Sequence, residues 1–221
     1  MRTLPAGFIE PCLQRPTRCL RAGCGCTKFK HDGFRIIARK IGAQVRLYSR
    51  PGNDLTDRFR LIVETLANLR TRSCIIDGEA VACDNSGLAV FDRIRYRRHD
   101  GKVFLYAFDL IELDGDDLRR EPLDVRKATL RSLLVKVGPG LRWNEHIEGD
   151  GETIFRHACK LGLEGIVSKR KDSPYRSGRS PDWLKMKNPD APGREAGGRR
   201  RLAVIHAISI CRCHARGHAY Q

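Results

Sequence analysis

The chain has 221 residues, 41% of them apolar and 31% charged, a balance that supports a packed core and excludes a disordered chain. The formal net charge of +16 points to a polyanionic partner; residues 1–30 hold six Lys/Arg against one acid, and residues 196–221 hold five arginines against none. No apolar run approaches the ~20 residues a membrane span needs, and no cationic-then-apolar leader opens the chain, so a cytoplasmic protein without a membrane partner is expected.

Residues 1–29 carry Pro5, Pro11 and Pro16 and show no periodicity. Phe34 to Arg39 and Gln44 to Ser49 alternate around Lys40-Ile41-Gly42-Ala43, which predicts a hairpin. Thr56 is placed to cap a helix whose Phe59, Ile62, Val63, Leu66 and Leu69 form one apolar face. Cys74 to Cys83 reads as a strand, Asp84 to Gly87 as a turn, and Leu88 to Arg98 as a short basic helix with Val90, Phe91 and Ile94 inward. Val103 to Leu113 predicts a central strand, Asp124 to Val135 a helix, and Leu141 to Ile147 a strand. Thr153 to Leu161 predicts a helix stopped by Gly162. Gly165 to Lys169 and Trp183 to Lys187 are strands joined by a basic loop, Arg170 to Arg179. Strands and helices interleave irregularly, which predicts an α+β fold of mainly antiparallel sheets packed with helices.

Of the nine cysteines, Cys74, Cys83 and Cys159 fall in apolar patterns and read as core. Cys24/Cys26 and Cys211/Cys213 form C-x-C pairs. Zinc sites usually use C-x₂₋₄-C, so reduced thiols are expected in a cytosolic chain and a zinc-binding protein is a rival reading.

Five short segments concentrate the chemistry. Lys30-His31-Asp32-Gly33 sets a lysine at a turn before an apolar strand, with Gly33 expected to supply a positive φ. Taken alone, Lys30 reads as a surface lysine in a turn rather than as a catalytic one. Asp77-Gly78-Glu79 lies in an apolar strand, where a carboxylate is costly unless paired or metal-bound. Phe108 and Asp109 sit in the apolar run Phe104 to Gly115. Glu164-Gly165-Ile166-Val167-Ser168-Lys169 opens another strand with a carboxylate. In Trp183-Leu184-Lys185-Met186-Lys187, Lys185 and Lys187 share a strand face, as two cations flanking an anion would; exposed edge lysines are the plain alternative. Arg170, Lys171, Arg176 and Arg179 suit nucleic-acid phosphates, or form a solvated loop.

In this order the segments resemble the nucleotidyltransferase motifs of ATP-dependent DNA ligases, and most of all the ligase module of bacterial non-homologous end-joining ligases. The resemblance runs from about Lys30 to Pro192. It implies an ATP-grasp-like adenylation domain over residues 30–192, an atypical lead-in over 1–29 and a basic tail over 193–221. It further implies ATP and Mg²⁺ (or Mn²⁺) as cofactors. Nicked or broken DNA is the implied partner, with a bacterial, nucleoid-associated location.

By the same resemblance Lys30 is the nucleophile that becomes joined to AMP, with Lys185 and Lys187 aiding catalysis at the α-phosphate. Arg35 and Arg50 would contact the nucleotide, and Phe108 and Val167 would cover the faces of the adenine. Lys169 would complete the basic end, and Glu79 and Glu164 would serve the metal. Family members carry an acid two residues before the nucleophilic lysine; Lys28 stands there. They also continue into an oligonucleotide-binding (OB) barrel, for which the 29 residues after Pro192 are too few. A truncation or shifted frame is the expectation for the two ends, with weakened activity unless a separate OB-domain chain or end-joining protein completes the site. Rival readings are a non-catalytic DNA-binding remnant and an RNA ligase or capping-type nucleotidyltransferase.

Overall fold

The structure is a computed structural model, described here for residues 4–17, 25–85, 87 and 89–190. Residues 193–221, and with them Cys211 and Cys213, lie outside the described residues, as does Cys24.

Two sheets form the architecture. The smaller has four strands: β1 (Cys12–Pro16), β2 (Gly25–Phe29), β9 (Gly165–Arg170) and β10 (Gly178–Lys187), in the order β1-β10-β9-β2. The larger has β3 (Phe34–Ile41), β4 (Gln44–Ser49), β5 (Ser73–Val81), β6 (Phe104–Leu113) and β7 (Asp116–Asp117) in the order β4-β3-β5-β6-β7, with β8 (Leu141–Trp143) beside β6. Only β1–β10 and β6–β8 are parallel pairs; the rest are antiparallel. The helices are α1 (Arg60–Ala67), α2 (Phe91–Arg95), α3 (Leu123–Leu133) and α4 (Gly151–Lys160). This is the expected α+β arrangement. Among the described residues no helix is long and apolar enough to cross a membrane.

The main core lies between the larger sheet and α1 and α3, where Ile36, Leu47, Ile62, Leu66, Ile76, Leu105 and Leu130 are fully buried. Alternation along β3 and β5 sends these side chains one way and Arg35, Asp77 and Glu79 the other, toward the second sheet. A second cluster, Phe29, Ile154, Ala158, Ile166 and Met186, seats α4 on the smaller sheet. The opposite face of that sheet, carrying Lys28, Val167, Lys169, Trp183 and Lys185, is therefore turned toward the larger sheet. The site sits in this cleft.

Several local expectations need correcting. Residues 1–29 show no periodicity, yet β1 and β2 form there, because each is short and held by pairing to β10 and β9 rather than by an amphipathic pattern. Thr56 does not cap α1: its hydroxyl accepts from Leu47 N at 3.0 Å, and Phe59 precedes the helix with no side-chain cap. The basic helix shrinks to Phe91–Arg95, and Arg97 follows in a left-handed conformation, φ 58°. The Leu141–Ile147 strand stops at Trp143; the chain then crosses between the sheets, and Ile147 bridges to Thr27. Asp150 caps α4 through Thr153 N at 2.8 Å, and Gly162 closes it at φ +64°.

Candidate active site

Lys30 directly follows β2, at the point where the chain passes from one sheet to the other. Its amide donates to Gly165 O at 3.0 Å, and Asn188 N donates to Glu164 O at 3.0 Å, so the Glu164-Gly165 corner is pinned between two strand ends. Gly165 is required there twice over: its φ is +142°, and a Cβ would lie 2.1 Å from Met186 O. The corner presents Glu164 to Lys30, and Lys30 Nζ meets Glu164 Oε2 at 2.6 Å with both side chains about a quarter exposed. Gly33 plays a different part from the one expected. Its φ is not positive; a Cβ there would meet Ala80 O at 2.2 Å, so glycine lets the turn lie against β5.

Charges from distant segments converge on this amine. Glu79 pairs in register with Arg35 on β3 and Tyr106 on β6. Burial pushes its carboxyl up, and the Arg35, Lys28 and Lys30 cations pull it back. Glu79 makes no ion pair among the described residues. Partial burial holds the Lys185 ammonium below the usual lysine range, helped by repulsion from Lys187, Lys30, Arg50 and Arg179. Lys185, Lys187, Arg50 and Arg179 thus form one positive field that includes Lys30. Glu164 contacts the Lys30 amine, and Glu79 feels its charge without pairing with it. The two carboxylates suit a hard Mg²⁺ or Mn²⁺ ion that keeps several waters and takes its other oxygens from phosphate. Among the described residues no cluster of three metal-ligating side chains occurs, which bears on the zinc reading for Cys26 but not for the undescribed cysteines.

Deeper in the cleft stands Phe108, 1% exposed. Lys28 Nζ lies 3.4 Å from its ring centroid, and the Lys169 amine and Arg35 guanidinium each lie 4.5 Å away. Val167 faces Lys28 across the β2–β9 pair and Lys185 across the β9–β10 pair, which places it on the cleft face.

Other predicted residues are deployed differently. Arg35 is locked in a buried bidentate pair with Asp77, at 2.5 and 2.6 Å, and donates to Cys12 O. Tyr175 Oη donates to Asp77 at 2.7 Å. Lys169 lies four residues along β9 from the corner that meets Lys30. It is 3% exposed, 3.3 Å above the Trp183 ring and 3.9 Å from Asp109. Burial brings its pKa down to about 7. Of the basic loop, Arg170 is held by Asp172 and Asp182, and Lys171 by Glu148 at 2.7 Å. Arg176 and Arg179 are exposed and make no ion pair among the described residues.

Sequence reasoning missed the buried pair of Asp109 and Arg126, both 0% exposed, at 2.7 and 3.1 Å. It also missed His31, which stacks on Tyr106 at 4.4 Å with its pKa lowered by burial to about 4. The signal available for Arg126 was its spacing, three after Leu123 and four before Leu130, which sets it on the apolar face of α3.

The two-sheet fold with a lysine, two carboxylates and a lysine pair at the junction defines a nucleotidyltransferase adenylation domain. The sequence profile of the ATP-dependent DNA ligase domain matches residues 17–187, and the chain belongs to that family. Over 164 residues it is 37% identical to the multifunctional non-homologous end joining protein LigD of Pseudomonas aeruginosa, covering 72% of this chain and 20% of that protein. It is 33% identical to the SPbeta prophage-derived DNA ligase-like protein LigB of Bacillus subtilis, covering 74% of this chain and 61% of that one. A solved structure of mycobacterial DNA ligase D complexed with ATP and MES superposes with a TM-score of 0.70 at 33% identity, covering 80% of this chain and 60% of that one. The chain spans about a fifth of that LigD protein and less than two thirds of the solved DNA ligase D chain.

Proposed function

We propose that the chain performs the adenylation chemistry of a DNA ligase. Lys30 Nζ attacks the α-phosphorus of ATP; a P–N bond forms, the bond to pyrophosphate breaks, and the amine gives up a proton. The resulting lysyl-AMP passes its AMP to the 5′-phosphate of a DNA end, and a 3′-hydroxyl displaces AMP to seal the strand. The observation that carries this reading is the Lys30–Glu164 contact at 2.6 Å within the charge field of Glu79 and Lys185.

Each residue then has a task. Glu164 orients the amine. Lys185, with Lys187 and Arg50 behind it, stabilises charge gathering on the α-phosphate, and such preorganised cations are the main source of catalysis in phosphoryl transfer. Phe108 and Val167 wall the base pocket. Arg35 fixes β3 to β5 through Asp77, and its part in nucleotide binding is indirect. Glu79 and Glu164 would hold Mg²⁺ or Mn²⁺, which would neutralise phosphate charge. Exposed Arg176 and Arg179 contact DNA phosphates next to the site, with nicked or broken DNA as substrate and an OB-domain or end-joining protein as partner.

Incubation with α-labelled ATP and Mg²⁺, followed by a denaturing gel, tests the reading. Label should travel with the chain and vanish in Lys30→Ala. Label that survives Lys30→Ala refutes the assignment of the nucleophile, and no label in the intact chain leaves a DNA-binding remnant. Competition by GTP in place of ATP would indicate the capping-type alternative.

A further inference from the structure

The base pocket already contains a side chain. Lys28 enters it from β2, is 8% exposed, and sets Nζ 3.4 Å from the Phe108 centroid. That is direct contact with the ring face, so the amine fills space that a base stacked on Phe108 would need. The Lys28 side chain makes no hydrogen bond or ion pair among the described residues. Burial, with the cations of Lys169, Arg35 and Lys127 against the single carboxylate of Glu79, holds its amine well below the usual lysine range. What holds Lys28 in place is therefore the ring face itself.

We propose that Lys28 is a specificity-determining residue that competes with the nucleotide base for the face of Phe108, so that ATP binds only as Lys28 is expelled. This rests on the proposed function, in which Phe108 takes the base. Two physical terms set its size. The packing of the Lys28 side chain on the ring must be given up, and returning its methylenes to water costs enough to weaken binding about tenfold. The displaced ammonium must also stay near the base, since its Cα is fixed in the sheet opposite Val167. An ammonium can only donate hydrogen bonds, and adenine's exocyclic amine is a donor too, so the two do not pair. A carboxylate at position 28 reverses both terms: the negative face of the ring repels it, and it accepts from the amine.

The experiment uses the full chain. ATP affinity is measured by equilibrium dialysis, and labelling of Lys30 is read in parallel, for the unaltered chain, Lys28→Glu, Lys28→Met and Lys28→Arg. Lys28→Glu should bind ATP roughly tenfold or more tightly, Lys28→Met less so, and Lys28→Arg, which keeps a cation on the ring, no tighter than the unaltered chain. Equal or weaker binding by both Lys28→Glu and Lys28→Met overturns the proposal. Should those variants not fold, an amine-reactive reagent with mass spectrometry serves on the unaltered chain: Lys28 should be protected alone and modified in saturating ATP. Equal protection in both states overturns the proposal. Tighter binding without label on Lys30 keeps the inference and refutes the covalent reading; label on Lys30 with unchanged affinity does the reverse.

Discussion

Arg126→Met offers the sharpest test of the energetics beneath the site. Arg126 and Asp109 are both 0% exposed and paired through Nε–Oδ1 at 2.7 Å and Nη2–Oδ2 at 3.1 Å. Arg126 Nη1 also donates to Glu121 O and Ser173 O, tying α3 to the loop after β9. Removing the guanidinium leaves Asp109 buried with only the Leu110 amide at 3.0 Å and the Lys169 amine at 3.9 Å. Breaking one half of a buried pair costs about 3–5 kcal/mol, a large share of the ~5–15 kcal/mol stability of a domain. For a chain of this size that is a fall in Tm of roughly 6–20 °C. Arg119 with Asp117 is the internal control: the same forked geometry, 2.9 and 2.6 Å, but side chains about half exposed. Arg119→Ala should cost under about 1 kcal/mol. Urea unfolding followed by circular dichroism measures both. Asp109→Leu with Arg126→Met together should recover most of the loss, since an apolar pair of similar volume replaces the buried ions. If Arg126→Met and Arg119→Ala cost the same, burial is not what separates the two pairs and the reasoning fails. Because Asp109 follows Phe108, Arg126→Met should also weaken ATP binding.

Three further outcomes are expected. Gly33→Ala drives a methyl to within 2.2 Å of Ala80 O, so it should destabilise the fold by roughly 1–3 kcal/mol and reduce labelling of Lys30; a variant with unaltered urea midpoint would show that the turn is not held against β5. The Lys169 pKa falls from 10.5 to about 7 in the folded state, so above pH 7 the unfolded chain binds the extra proton and stability rises with pH. That rise should lessen in Lys169→Met when unfolding is compared between about pH 7 and 9, with Lys28 and Lys127, also lowered by burial, carrying the remainder, below the range where the buried Cys12 and Cys74 thiols oppose it. In the basic loop, Arg176→Ala and Arg179→Ala should each weaken DNA binding and lower its salt slope by about 1, whereas Arg170→Ala and Lys171→Ala, already paired to acids, should change it little. Fluorescence anisotropy over a salt series separates these, and four equal effects would contradict the pairing.

Local pattern was enough for much of the fold. The β3–β4 hairpin, the apolar face of α1, the central β6 and the stop of α4 all follow from spacing and glycine within a window of about a dozen residues. It failed where an element has no pattern of its own. β1 and β2 are five residues each, and β2 is buried throughout apart from Gly25, so neither alternates in a readable way. It failed again for reasons rather than places: Gly33 is glycine because another strand passes close by, and nothing in Lys30-His31-Asp32-Gly33 could reveal that strand.

By itself the sequence determined the class of protein, because the order of five motifs is a property of the chain, and it supplied the residues on which the proposed chemistry rests. Only the tertiary structure decided their partners. Lys30 meets Glu164 across 134 positions and Arg35 meets Asp77 across 42, and Lys28 came to lie on Phe108. Such contacts are set by strand register and by the facing of two sheets, so a side chain's neighbours exist only once both layers are in place.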